Sequence, residues 1–438
     1  MRVHHRLSIV IALVSLLAGA SACSQGQGGA PSPSASATTS AASVAQAAPA
    51  PASGAPAAPA TKDDDDDLVI PPEKFADPEK AFQTAMAAIK SKYYAAGLTD
   101  EDLYRAAVRG MVKDIDPAMR RWNKLLSPHE YTELTSDLEG QIVGIGVQVK
   151  FDAPTGHIAV QGTIAGSPAE KAGLHATDTI LSVNGKLFKG KSMIDAVNEI
   201  RGKAGEPVTL SVLRDDKILP FTITRATVSF DPVTHAMIDG VGYVSMQTFS
   251  SRTAPAVKAA LDDFAANHAR ALAVDLRENM GGSFDEAIRV AELFLPAGAP
   301  IVTLQRRDGK TETLTSKGSP ELAAVPVVVL VDHGTASSGE LLAGALSEQR
   351  HAKTVGVRTY GKWSVQNLEE LGNGYAIKFT TALFHTPSGK SYEGTGFAPD
   401  VEVDESEDTV ERSMLLTDPR ERVAVDPQLK TALSLLAL

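Results

Sequence analysis

With 438 residues, 43% of them apolar and 22% charged, the chain is long enough for two or three domains of ordinary globular composition. Its formal net charge of −11 argues against a nucleic-acid-binding protein. No stretch after the N-terminal leader stays apolar for long enough to span a bilayer.

Residues 1–22 read as an export signal: Arg2, His4, His5 and Arg6 precede an apolar run from Leu7 to Ala18, followed by the small residues Ala20, Ser21 and Ala22. Cys23, the only cysteine, comes immediately after and stands where a bacterial lipoprotein carries its lipid, although leucine is usual where this chain has Ala20. Cleavage at an Ala-x-Ala site by ordinary signal peptidase is the alternative. A lone cysteine in an exported chain can form no internal disulfide, which favours lipidation and a lipid-anchored protein of the bacterial envelope or periplasm. Residues 23–70 form a tether, because Ser24 to Thr61 is almost wholly Ala, Ser, Pro, Gly, Gln and Thr and cannot bury enough surface to fold. The run Asp63 to Asp67 reads as a solvated, self-repelling segment and is assigned no metal.

Residues 71–139 read as a small helical domain, with Ala81, Phe82, Ala85, Met86 and Ile89, then Leu103, Ala107, Val108 and Met111, recurring at helical spacing as core positions. From 140 to 228 the pattern changes to short alternating runs broken by Gly and Asp-Asp turns, with one helical stretch from Met193 to Arg201. Residues 229–405 alternate buried strands with helices, which implies an α/β core with some parallel strands. The run from Ala271 ends at the glycines Gly281 and Gly282, and the run from Val325 ends at Asp332, His333 and Gly334. Ser337 then sits on a Gly-flanked turn before a helix, which is suitable ground for a nucleophile. With Glu340 three residues later it is equally a capping box. Lys362 and Gln366 follow in a polar, Gly-containing segment, and residues 406–438 read as a helical tail.

These segments together resemble the C-terminal processing peptidases, or tail-specific proteases. The resemblance runs from about Phe75 to the C-terminus through AVRGMVKDIDP, LSPHEY, GIGVQV, GSPAEKAGL, ALAVDLRENMGG, VDHGTASSGE, GKWSVQ and TALFHTPSGK. It implies a multidomain α+β and α/β chain: an N-terminal helical segment, a β-rich PDZ domain, and a peptidase core of crotonase-like type. It also implies a serine endopeptidase with Ser337 as nucleophile, Lys362 as general base and Gln366 as the third member of the site. The oxyanion hole would come from the Gly281–Gly282 turn and the N–H of Ser338. In the PDZ domain Gly144, Ile145 and Gly146 would present N–H groups to a peptide's terminal carboxylate, with Val147, Met193 and Val197 lining an apolar pocket. AMRRWNKL is bulkier and more basic than the family's link at that point, and Met280 stands where the family has proline.

Serine is a poor nucleophile without a base, so Lys362 must be neutral when substrate arrives. Lowering a lysine from about 10.4 to about 7 takes roughly 4 to 5 kcal/mol, which burial can supply. Trp363 is the expected apolar cover and Gln366 the expected partner of the amine. A Ser-His-Asp arrangement would have to use His333 or His385, and neither stands in an acid–base context. No metal or cofactor is required. The expected partners are protein or peptide substrates with free C-termini, an adaptor protein, the membrane through the lipid anchor, and a second copy in a homodimer. A catalytically silent or adaptor-gated PDZ lipoprotein acting as a binding scaffold is the alternative function; keeping Ser337, Lys362 and Gln366 together favours the enzyme.

Overall fold

The computed structural model describes residues 74–95, 97–152, 154–191, 193–404 and 418–436, with single residues 409, 413 and 416. The export signal, Cys23, the tether and the acidic run lie outside the described residues.

Residues 74–85 are the described part of one compact unit, Leu17–Ala85, and open the helix Pro78–Lys92. The expected helix forms, but none of its residues is buried, and Phe82 and Ile89 are exposed. In the next helix, Asp100–Asp114, Thr99 and Asp102 complete a capping box. Leu103, Ala107 and Val108 are half-buried and Val112 buried, while Met111 is exposed. The helical spacing was therefore legible, but most of the core expected here does not close. These helices instead precede a loop and the short strand Lys124–Leu126, which pairs with the strand Tyr375–His385.

Five antiparallel strands, Val147–Asp152, His157–Thr163, Thr179–Val183, Pro207–Arg214 and Lys217–Thr224, form a sheet in chain order. The first is an edge strand, and the helix Met193–Ile200 accompanies the sheet. Ile145, Val149, Ile158, Ile180, Leu210 and Ala196 share its core. The strand pair Gln141–Gly144 and Ala226–Ser229 closes this domain at its two ends.

The remaining chain builds a six-stranded sheet in the order Val401–Glu402, Lys353–Gly356, Val327–Val331, Ala271–Asp275, Val241–Met246 and Val233–Ile238. All neighbours are parallel except the last pair. Ala271–Asp275 and Val327–Val331 are buried at every position, as unbroken apolar runs require when both faces are covered. One face packs on the helices Thr253–Ala266, Phe284–Glu292 and Ser338–Gln349 through Val274, Val329, Val331 and Leu342. The opposite face, through Ala273, Val328 and Leu330, is closed by Leu429 and Ala432 of the final helix Pro427–Leu435. A second sheet carries Lys124–Leu126, Tyr375–His385, Pro300–Gln305 and Thr311–Thr315, with Ser364–Gly372 also paired to Tyr375–His385. The two sheets bring the Ser337 turn and the Lys362 segment together.

Candidate active site

The strand Val327–Val331 ends at Asp332, whose Oδ1 accepts the N–H groups of Gly334, Thr335 and Glu278. Thr335 Oγ1 in turn donates to Leu276 O at 2.8 Å, and Ala336 N–H to Asn279 O at 2.9 Å. These bonds zip the turn before Ser337 to the turn that carries Gly281 and Gly282. Ser337 is held at φ 54, ψ −115, a left-handed conformation that costs a non-glycine residue about 1–3 kcal/mol and lifts its hydroxyl off the helix path. Its N–H donates to Glu340 Oε2 at 3.0 Å, which is the carboxylate half of the capping box.

Lys362 Nζ lies 3.4 Å from Ser337 Oγ in a hydrogen bond, with Ser337 9% and Lys362 8% exposed. Burial first, and then the charge on Lys378, push the pKa of Lys362 down to about 8, against the pull of Glu393 and Glu340. The sequence asked for a buried lysine, and the structure supplies one. Its cover is Trp122, 1% exposed, whose ring centroid lies 5.2 Å from Nζ. Trp363 is also fully buried, but its Nε1 donates to Glu340 Oε1 and its ring packs on Phe384 and Tyr392.

Glu340 ties the two halves of the site together. One carboxylate, fully buried, accepts from Ser337 N–H, Lys362 N–H, Gly361 N–H, Thr359 Oγ1 and Trp363 Nε1. Burial pushes its carboxyl above the usual range while these donors pull it down. Since every neighbour is a donor, the geometry calls for the ionised form.

Gln366 is placed differently from expectation. Its Nε2 donates to Ser364 Oγ at 3.0 Å and Thr380 Oγ1 at 3.3 Å, not to Lys362. A bulge between Val365 and Gln366 sets this register and turns the amide toward the neighbouring strand.

Gly281 lies directly beside Ser337: a Cβ there would sit 2.8 Å from Ser337 Cβ and 3.2 Å from Ser338 N, at φ 105. Its N–H is taken up by Asn279 Oδ1 at 2.9 Å. The N–H groups of Gly282 and Ser338 have no acceptor among the described residues, and the latter opens the helix Ser338–Gln349. Gly281→Ala is expected to lower kcat at least ~100-fold, because a displaced Ser337 loses its near-attack geometry. An alanine variant with kcat within a few-fold of the parent would exclude so tight an apposition.

Of the histidines considered, His333 is exposed and His385 lies in the second sheet opposite Thr303; neither bonds Ser337. Among the described residues no group of three or more His, Cys, Asp or Glu side chains is arranged to hold a metal ion. In the five-stranded domain Ile145 lies in the core, Val147 and Val197 are half-buried, and Gly144 and Gly146 flank the entry to the edge strand. A Cβ on Gly146 would collide with Ser167, so the close approach as well as φ 76 demands glycine. The side chain of Met193 lies outside the described residues.

Residues 240–403 match the model of peptidase family S41, and residues 160–214 that of a PDZ domain. A carboxy-terminal-processing protease of Bartonella bacilliformis is 32% identical over 312 residues, which is 70% of each chain. The chain belongs to the carboxy-terminal-processing proteases of peptidase family S41. A carboxyl-terminal-processing protease of Synechocystis sp. is 33% identical over 324 residues, covering 72% of this chain and 75% of its own. The crystal structure of a putative S41 protease from Bacteroides fragilis, 19% identical, covers 84% of this chain and 99% of its own with a TM-score of 0.54, a likeness of fold alone. The architecture of a helical N-terminal segment, a PDZ domain and an S41 peptidase core is thus the one the sequence implied.

Sequence reading of this S41 core missed Trp122, Glu393 and Lys378. Trp122 sits in the bulky, basic link that departs from the family pattern, and that departure was the available signal. Glu393 accepts from Trp363 N–H, lies 3.4 Å from Trp122 Nε1 and 3.5 Å from Arg121, and so fastens the link over the lysine. Trp122→Ala opens Lys362 to water, so its pKa should rise from about 8 toward 10.5. The acid limb of the pH–kcat/KM profile should move upward by about one unit, an approximately tenfold loss at neutral pH. Trp122→Phe should shift it less, and a limb unmoved in both variants would show that the tryptophan does not cover Lys362.

Proposed function

We propose that this S41 protease is an endopeptidase in which Ser337 attacks the substrate carbonyl while Lys362 takes its proton. The observation that carries this reading is the 3.4 Å contact between two buried side chains, one of them a lysine with a pKa of about 8. Ser337 Oγ bonds to the carbonyl carbon and its proton passes to Lys362 Nζ. The oxyanion is received by backbone N–H groups of the Gly281–Gly282 turn and of Ser338, at the positive end of the helix Ser338–Gln349. Gly282 is the better placed glycine donor, since Gly281 N–H already serves Asn279. The C–N bond then breaks as Lys362 returns its proton to the leaving amine. Water, deprotonated by the same amine, releases the acyl group and restores Ser337. Gln366 supports this site at one remove, by fixing the strand pair that carries Lys362.

The PDZ domain captures a substrate's C-terminal carboxylate at Gly144, Ile145 and Gly146, and the tail pairs with the edge strand beside Val147, Val197 and Met193. The leader and Cys23 support export and lipid anchoring at the bacterial envelope, where protein substrates, an adaptor and a second copy are the partners. Incubation of the protein with an unfolded substrate tests the dyad: Ser337→Ala should abolish cleavage, and cleavage surviving there would sink the assignment. Amidating the substrate's C-terminus should slow cleavage if the PDZ domain reads that end. Only a proton-free Lys362 is a base, so kcat/KM should rise about tenfold per pH unit below about 8 and level above it.

A further inference from the structure

Lys378 lies in the strand Tyr375–His385, opposite Lys124 on one neighbour and Leu368 on the other. Alternation places Lys378 and Thr380 on one face, and residues opposite each other across a strand pair share a face. That face carries Gln366 bonded to Thr380 Oγ1, and Asn123 Oδ1, which accepts from the same hydroxyl at 3.1 Å. The row continues through Ser364 to the segment of Lys362, whose amine feels the charge of Lys378.

Lys378 is only 8% exposed, yet its ammonium has no hydrogen-bond or ion-pair partner among the described residues. A buried cation is ordinarily paired. The carboxylates nearby are engaged: Glu130 with Lys124 at 2.6 Å and with Ser127 N–H, and Glu393 with Trp363 N–H, Trp122 and Arg121. Around the dyad the four cations Arg121, Lys124, Lys362 and Lys378 outnumber the three carboxylates Glu130, Glu340 and Glu393, although the whole chain carries −11. Burial, and then Lys124, push Lys378 down to about 8, so at neutral pH it is still mainly charged.

We propose that Lys378 is a specificity-determining residue of the substrate groove, where its unpaired ammonium, beside Thr380 and Gln366, receives a carboxylate on the bound peptide close to the scissile bond. This rests on the reading of Ser337 and Lys362 as the dyad. The carboxylate is supplied either by the peptide's own C-terminus or by an acidic side chain.

The test uses two pairs of fluorogenic peptides with one apolar core, too short to reach the PDZ domain while bound at the dyad: free carboxylate against amide at the C-terminus, and Asp against Asn beside the cleavage site. For the parent, kcat/KM should favour the acidic member of at least one pair by about tenfold, as a charge-assisted hydrogen bond implies, and that pair identifies the source. In Lys378→Met the ratio should fall below about twofold, and Lys378→Arg should keep most of it. The same peptides are titrated against Ser337→Ala, with and without Lys378→Met, so that recognition is measured independently of cleavage. A carboxylate preference unchanged by Lys378→Met, or absent from the parent in both pairs, overturns the proposal. A preference lost in Lys378→Met while Ser337→Ala still cleaves would instead overturn the dyad. Methionine nearly matches lysine in volume, and melting curves of the variants verify that each is folded.

Discussion

Replacing Lys362 by methionine is expected to abolish peptide cleavage and to stabilise the protein at the same time. The loss should reach roughly 10²–10⁴-fold or more, the contribution of a positioned general base. The gain follows from the cost of holding an ammonium among Trp122, Lys378, Arg121, Glu340 and Glu393 in a buried site. A native pKa of about 8 against 10.5 in the unfolded chain corresponds to about 3 kcal/mol at neutral pH, where both states are protonated and the native state bears the whole penalty. As pH rises from 8 to 10.5 the native lysine loses its proton first, so the parent gains stability relative to the variant and the difference fades. Chemical denaturation at pH 7 and pH 10 reads this directly. A Lys362→Met protein less stable than its parent at pH 7 would mean that the amine is not buried as a penalised charge.

Glu340→Ala should do the opposite to stability while also destroying activity. Five donors lose their common acceptor, and each one left unsatisfied costs about 1–3 kcal/mol, so a loss of about 3 kcal/mol or more is expected even after relaxation. Because the donors include the backbone N–H groups of both Ser337 and Lys362, the two side chains lose their relative placement. A misplacement of about 1 Å is enough for a 10²-fold fall in kcat. Glu340 touches neither substrate nor reacting atoms in this arrangement, so it is a positioning residue. Its signature is a fall in kcat with KM little changed, and slower labelling of Ser337 by a serine-directed phosphonate in protein that is still folded. A folded Glu340→Ala variant with parental kcat would remove it from the site.

Taken together, these variants separate what was legible in the sequence from what was not. The buried strands Ala271–Asp275 and Val327–Val331 announced themselves as unbroken apolar runs, and Ser337 and Lys362 stood at turns that local pattern could find. The capping box at Ser337 and Glu340 was readable, but only one part of its meaning: the carboxylate also reaches Thr359, Gly361, Lys362 and Trp363, partners 19 to 23 residues away. The role of Trp122 was beyond periodicity, since it meets Lys362 from a segment 240 residues away that leads into another strand of the same sheet. Lys378 carries no local signal, because only the pairing of Tyr375–His385 with two neighbours buries it. In the N-terminal helices the error ran the other way. Their spacing was correct, but spacing names a face without supplying a layer to cover it, and Phe82, Ile89 and Met111 remain exposed.

The backbone of Ser337, at φ 54 and ψ −115, bears on how this chain responds to selection. Glycine adopts that conformation without the strain that serine bears, so a library screened only for heat resistance should enrich Ser337→Gly alongside Lys362→Met. Thermal selection would then drive the population toward folded, silent proteins by single substitutions at the two residues proposed as the dyad. Any effort to harden this molecule therefore has to select for turnover in the same round.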